Sequence, residues 1–127
     1  MQKFEVVNTL EAPQPAGTYS QAVLAQGPFL FISGQVPRLP NGKLLASASI
    51  EDQTKRVLEN IQQIALSAGM ELKDSVHLTV YLNDLAFKHE FENVYKTFFT
   101  GLLPARVVVQ SSFKDFDVEI SAILQKN

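Results

Sequence analysis

The side chains able to do chemistry are few in this 127-residue chain. There is no cysteine, which removes thiol nucleophiles, thiolate metal sites and disulfides. The stretch LPARVVVQSS sets one permanent cation, Arg106, at the mouth of a run of strand-forming valines, and DVEISAIL near the C-terminal end carries Glu119. A guanidinium is a planar fork that matches a carboxylate through two parallel hydrogen bonds. A carboxylate such as Glu119 can act as a general base toward water. Three arrangements stay open: Arg106 and Glu119 pair across adjoining strands, Arg106 is solvated at a strand end, or Arg106 holds an anion while Glu119 acts on water. Tyr19 and Ser33 offer hydroxyls at a loop end and within a strand. His77 and His89 have no acidic or histidine partner at ligand spacing, so no metal site is expected. Nucleophile-elbow, phosphate-loop and dinucleotide signatures are absent.

The composition sets the frame for these residues. Apolar residues make up 46 % and charged residues 19 %, enough for one core in a single domain over residues 1–127. Net charge is −2, and the 11 Lys and Arg are scattered rather than clustered. That disfavours a nucleic-acid partner bound through its phosphates. MQKFEVVNTLEAP lacks the pattern of a secretory leader, and no apolar run approaches the roughly 20 residues of a membrane span. The expectation is a soluble cytoplasmic protein with no membrane association.

Strand patterns are read at 4–8, on either side of Gly27-Pro28 within 20–36 as a hairpin, and at 75–82, 105–110 and 117–124. Helical spacing spans 50–68, with Ile50, Val57, Leu58, Ile61, Ile64 and Ala65 on one face, Ser49 as cap and Gly69 as stop. A second helix covers 86–99, with Phe87, Phe91, Val94, Tyr95 and Phe98 on one stripe. Asn41-Gly42 marks a turn. The predicted order is βββαβαββ: an α+β fold with two helices on one face of a six-stranded, mostly antiparallel sheet.

Two helices leave the other face of such a sheet uncovered. Alternation puts Glu119 and Ser121 on one side of the last strand and Val118, Ile120, Ala122 and Leu124 on the other, under the helices. It puts Arg106, Val108 and Gln110 on one side of their strand. It puts Phe29, Phe31 and Ser33 opposite Leu30, Ile32 and Gly34. An uncovered face that carries Phe29, Phe31 and Val108 favours contact with another subunit over solvent.

The segments AGTYSQAV, FISGQVP, NGKL, EDQTKRVLENI, AGMELKDSVHLTVYLNDL, FENVYKTFF and PARVVVQ, in this order, resemble the RidA/YjgF family of reactive intermediate deaminases. The resemblance runs from about residue 12 to residue 124, and its most specific pieces are SGQ and PAR. It implies a chorismate-mutase-like fold assembled as a homotrimeric barrel with sites between subunits. It implies hydrolysis of 2-enamino and 2-imino acids, such as 2-aminoacrylate, to 2-oxo acids and ammonia, without a cofactor or metal. By motif, Arg106 would anchor the substrate carboxylate and Glu119 would orient or activate water. Tyr19 would line the cleft from a neighbouring subunit, Ser33 would hydrogen-bond ligand or water, and Gly34 would let main-chain N–H groups approach the carboxylate. Val108 stands where the family often has cysteine. Thr18 replaces the proline of the family's GPY, Ser121 stands where many members have a second glutamate, and the connection at 111–116 is short. Two other functions are open to the same residues: a non-catalytic regulator that binds 2-oxo acids or small carboxylates, and an endoribonuclease or translation inhibitor, which the charge balance disfavours.

Overall fold

The computed structural model describes residues 4–126. In chain order it contains β1 (Glu5–Val7), β2 (Ala22–Leu24), β3 (Phe29–Gln35), α1 (Ile50–Ser67), β4 (Ser75–Leu82), α2 (Lys88–Phe98), β5 (Ala105–Gln110) and β6 (Val118–Gln125). The order βββαβαββ is as expected, but the six strands do not share one sheet. β1 and β2 form an antiparallel ribbon, and the other four are arranged β3-β6-β4-β5. The expected hairpin between β2 and β3 is absent, because β2 pairs with β1 and β3 pairs with β6. Hydrogen bonds at the sheet edge account for this. Gln26 N–H donates to the side-chain oxygen of Gln125 (2.7 Å), and Lys126 N–H donates to the Pro28 carbonyl (2.9 Å). The chain around the cis Gly27-Pro28 bond is thereby fastened to the end of β6.

α1 is bounded as its sequence demands. Ser49 Oγ accepts from Asp52 N–H (3.0 Å), and Glu51 and Asp52 sit in the first turn, where negative charge suits the helix dipole. At the other end Gly69 takes φ +72°, Gly69 N–H donates to the Leu66 carbonyl and Met70 N–H to the Ala65 carbonyl, a Schellman closure. Val57, Leu58, Ile61 and Ala65 are buried, but Ile64 stays 38 % exposed while polar Gln53 and Thr54 are buried. Their burial costs little because both are bonded. Gln53 Oε1 accepts from Asp117 N–H (2.8 Å), Gln53 Nε2 donates to Asp117 Oδ2 (3.1 Å), and Thr54 Oγ1 donates to the Ile50 carbonyl (2.8 Å). Asn83 Nδ2 donates to the other Asp117 oxygen, and Asn83 Oδ1 accepts from Phe113 N–H. This amide network holds the loop before β6 and so sets where Glu119 emerges.

β4 and β5 run parallel, which requires a crossover, and α2 supplies it. α2 starts later than its spacing suggests, because Asp84 Oδ1 accepts from Ala86 N–H and turns Leu85–Phe87 into a 3₁₀ segment first. Both helices cover one face, packing Leu58, Ile61, Phe91 and Tyr95 against Leu78, Val80, Ile120 and Leu124. The opposite face leaves Phe29 and Phe31 exposed, Phe31 by 71 %. Among the described residues no helix is long and apolar enough to cross a membrane.

Candidate functional site

Arg106 lies on β5, the edge strand, directly across from Leu78 of β4. Neighbours in register share a face, so Arg106 points to the helix side, where Leu78 is buried. There it meets α2. Glu92 receives both terminal nitrogens of the guanidinium, Nη1 to Oε1 at 2.9 Å and Nη2 to Oε2 at 2.7 Å. Three aromatic rings enclose the cation: Tyr95 at 4.7 Å, Tyr19 at 5.3 Å and Phe91 at 5.6 Å from ring centroid to guanidinium carbon. The arginine side chain is 1 % exposed and that of Glu92 20 %.

Charge and burial compete here. Burial alone would raise the Glu92 pKa, but the hydrogen bonds and charge of Arg106, with smaller help from the Thr18 main chain and Lys88, bring it below its ordinary value. Burial likewise works against the Arg106 charge, yet the Glu92 carboxylate raises its pKa above the usual arginine value. Burial pushes the Tyr95 hydroxyl far up, against the opposing pull of Arg106. Tyr95 is therefore a neutral wall rather than a proton carrier. Among the described residues the buried Arg106 Nε and Tyr95 hydroxyl have no well-aligned hydrogen-bond partner.

The loop that brings Tyr19 here is tied to the start of β5. Ser20 N–H donates to the Pro104 carbonyl (3.0 Å) and Ser20 Oγ to the Leu103 carbonyl. Tyr19 Oη accepts from Ala16 N–H (3.1 Å). Gly17 fits because a Cβ there would come 2.7 Å from Glu92 Oε2 and 3.1 Å from Arg106 Nη2. The resemblance assigned Tyr19 to a neighbouring subunit, but within one chain its ring already lies against Arg106. Val108, expected on the uncovered face, lies across from Val80 instead, shares the helix side with Arg106 and packs against the core, because register with β4 and not β5 alone fixes its side.

Glu119 does not join this cluster. β4 separates β6 from β5, so the expected strand pairing of Arg106 with Glu119 does not form. Glu119 is in register with Tyr81, on the face away from the helices, and the two candidates lie on opposite sides of the sheet. Glu119 lines an open groove of about 250 Å³ with Gly34, Tyr81, Ser111, Phe113 and Ser121. Gly34 reaches it through a register shift between Ile32 and Gln35. Strict alternation placed Gly34 with Ile32, toward the helices. The bulge changes that, presenting Gly34 to Glu119 and leaving Ser33 exposed. A Cβ at Gly34 would stand 3.0 Å from Glu119 Cδ and 3.2 Å from Cγ and would overlap the carboxylate. Gly34→Ala should therefore swing Glu119 out of the groove, and because the atoms met are the far end of a flexible side chain beside open space, the fold should lose at most about 1 kcal/mol. Thermal melts beside a crystal structure of the variant check this, and a Glu119 left in place would show that the main chain at the bulge gives way instead.

Glu92, Tyr95 and Gly17 were missed as site residues by sequence reasoning. Tyr95 was assigned to the core stripe, where it also belongs. The available signal for Glu92 was its place one turn before Tyr95 on the border of the aromatic stripe, where a carboxylate is half-buried and needs a cation.

Residues 9–125 match the family model described as Endoribonuclease L-PSP. A RutC family protein from Pyrococcus horikoshii is 45 % identical over 124 residues, covering 96 % of this chain and 98 % of that protein. A 2-iminobutanoate/2-iminopropanoate deaminase from Rattus norvegicus is 35 % identical over 121 residues, covering 94 % of this chain and 88 % of that one. The crystal structure of E. coli TdcF with bound serine superposes with a TM-score of 0.71 at 33 % identity, covering 97 % of this chain and 99 % of that one.

Proposed function

The chain belongs to the RidA/YjgF family, and from that premise we propose that it hydrolyses reactive 2-enamino and 2-imino acids to 2-oxo acids and ammonia. The observation that carries this reading is the Arg106 fork with a carboxylate seated on both terminal nitrogens. The protein holds, between Tyr19 and Tyr95, a buried cation shaped for the one group every such substrate shares. The rat relative's name adds the reaction, and serine bound to the E. coli relative adds a small amino acid as ligand of a similar chain.

The chemistry asks little more of the protein. A protonated imine carbon is already electrophilic, so water adds to it without metal assistance once the substrate is held still. Glu119 takes a proton from water as the C–O bond forms and returns it to nitrogen; as the C–N bond breaks, the hydroxyl proton passes to Glu119, the carbonyl forms and ammonia leaves. No cofactor enters these steps.

Arg106 and Glu119 lie on opposite faces of one sheet, which supports a site assembled between copies of the chain. The helix-side cluster of one subunit would meet the open-face groove of the next, in a homotrimer whose central barrel covers Phe29 and Phe31. A cysteine-free chain suits a reducing compartment such as the cytoplasm. The family model's description names an endoribonuclease, but a net charge of −2 without a basic cluster gives a phosphate backbone little to bind.

The test is addition of the purified protein to a dehydratase releasing 2-aminoacrylate from serine. The 2-oxo acid should appear several-fold faster than by solvent hydrolysis alone. An unchanged rate over a range of protein concentrations would overturn the assignment.

A further inference from the structure

The carboxylate on Arg106 belongs to the protein, and this has a consequence for ligands. Glu92 takes both terminal nitrogens of the fork, the same atoms a substrate carboxylate needs. With the arginine side chain 1 % exposed and the glutamate 20 %, an incoming molecule meets Glu92 first. It cannot bind beside the pair. It must take Glu92's place, and Glu92 must then go somewhere.

We infer that Glu92 is a specificity-determining residue that admits carboxylates bearing a neighbouring N–H donor and rejects those bearing only a carbonyl. The inference rests on the deaminase reading and sharpens its substrate class. In a 2-imino or 2-amino acid the nitrogen sits on the carbon next to the carboxylate. When that carboxylate settles on Arg106, Glu92 has only to move to the edge of the fork to accept a hydrogen bond from the protonated nitrogen. The exchange leaves every charge partnered: ligand carboxylate on Arg106, ligand nitrogen on Glu92. A 2-oxo acid offers only acceptors at that position. Its carboxylate on Arg106 would strand Glu92 half-buried beside a second negative group, which is costly.

The surroundings agree. Gly17 packs main chain directly against Glu92 Oε2 and closes that side, so the carboxylate moves toward its solvent-exposed edge. The other cation acting on Glu92 is Lys88, one helical turn earlier. It is exposed, and solvent weakens its hold on a displaced carboxylate. The same competition would assist turnover: once the imine has become a carbonyl, Glu92 loses its donor and reclaims Arg106, expelling the 2-oxo acid.

Calorimetric titration with 2-aminobutanoate and 2-oxobutanoate, which share a skeleton, separates this role from a structural one. The wild type should bind the amino acid at least about tenfold more tightly than the oxo acid, the scale of one lost charged hydrogen bond. Glu92→Gln should tighten the oxo acid by about tenfold and shrink the preference to about twofold or less. Glu92→Asp keeps the charge and should keep the preference. A purely structural pair would weaken both ligands together and leave their ratio in Glu92→Gln as in the wild type, which would overturn the inference while leaving the deaminase reading intact. Failure of every protein to bind either ligand, with no 2-oxo acid released in the dehydratase assay, would overturn both.

Discussion

Arg106→Ala should lower kcat/KM by at least about a hundredfold, since hydrogen bonds between charged groups contribute about 1.5–3 kcal/mol each and the fork makes two. It should also unsettle the fold. Removing one member of a buried pair leaves the other without compensation, a loss of about 3–5 kcal/mol for a fully buried partner. Glu92 keeps 20 % exposure, so water recovers part of that and the expected cost is about 2–3 kcal/mol. The two losses have different origins and can be separated. Arg106→Ala combined with Glu92→Gln removes the stranded charge, so stability should largely return while turnover does not. Full activity in Arg106→Ala would remove Arg106 from the site.

The same pair fixes the sign of a pH effect. The Glu92 pKa in the folded chain lies below its ordinary value of 4.5. A depressed carboxylate contributes stability that is complete above the unfolded pKa and is lost as pH falls through the folded one. Melting temperatures taken from about pH 6 down to about pH 3 should therefore fall more steeply in the wild type than in Arg106→Ala, where that contribution is missing.

Glu119→Gln should cost activity without costing stability. General-base catalysis is worth about 10²–10⁴ in rate, and kcat should drop within that range. Among the described residues Glu119 makes no ion pair, and it lines an open groove, so melting should stay within about 0.5 kcal/mol of wild type. Affinity for a small amino acid should change little, because the proposed carboxylate anchor is on Arg106. That combination distinguishes a catalyst from a regulator binding the same ligands: in a regulator, the substitution would have no turnover to remove. Undiminished kcat in Glu119→Gln would exclude it as the base.

How much of this could be read from the chain alone varies with the range of the interaction. The two helices were legible because their determinants are local: the Ser49 cap, the Gly69 closure, and the spacing of Val57, Leu58, Ile61, Phe91 and Tyr95. β4, β5 and β6 were legible because alternation in Val118–Leu124 and the β-branched runs need only a few consecutive residues. Arg106 stood out because a guanidinium among valines must find a partner. Which partner, the sequence could not say. Strand neighbours in chain order need not be neighbours in the sheet: here β4 lies between β5 and β6, and register sets Arg106 beside Leu78 and Glu119 beside Tyr81, on opposite faces. The bulge at Ser33–Gly34 reversed the face of Gly34, because one extra residue inverts a period of two. Glu92 reached Arg106 only because the α2 crossover lays its first turns over β5. Residue types and local spacing determined the elements and the presence of a carboxylate-binding cation. Tertiary packing alone decided what that cation holds, since the bond from Glu92 to Arg106 depends on where a helix and an edge strand meet in space.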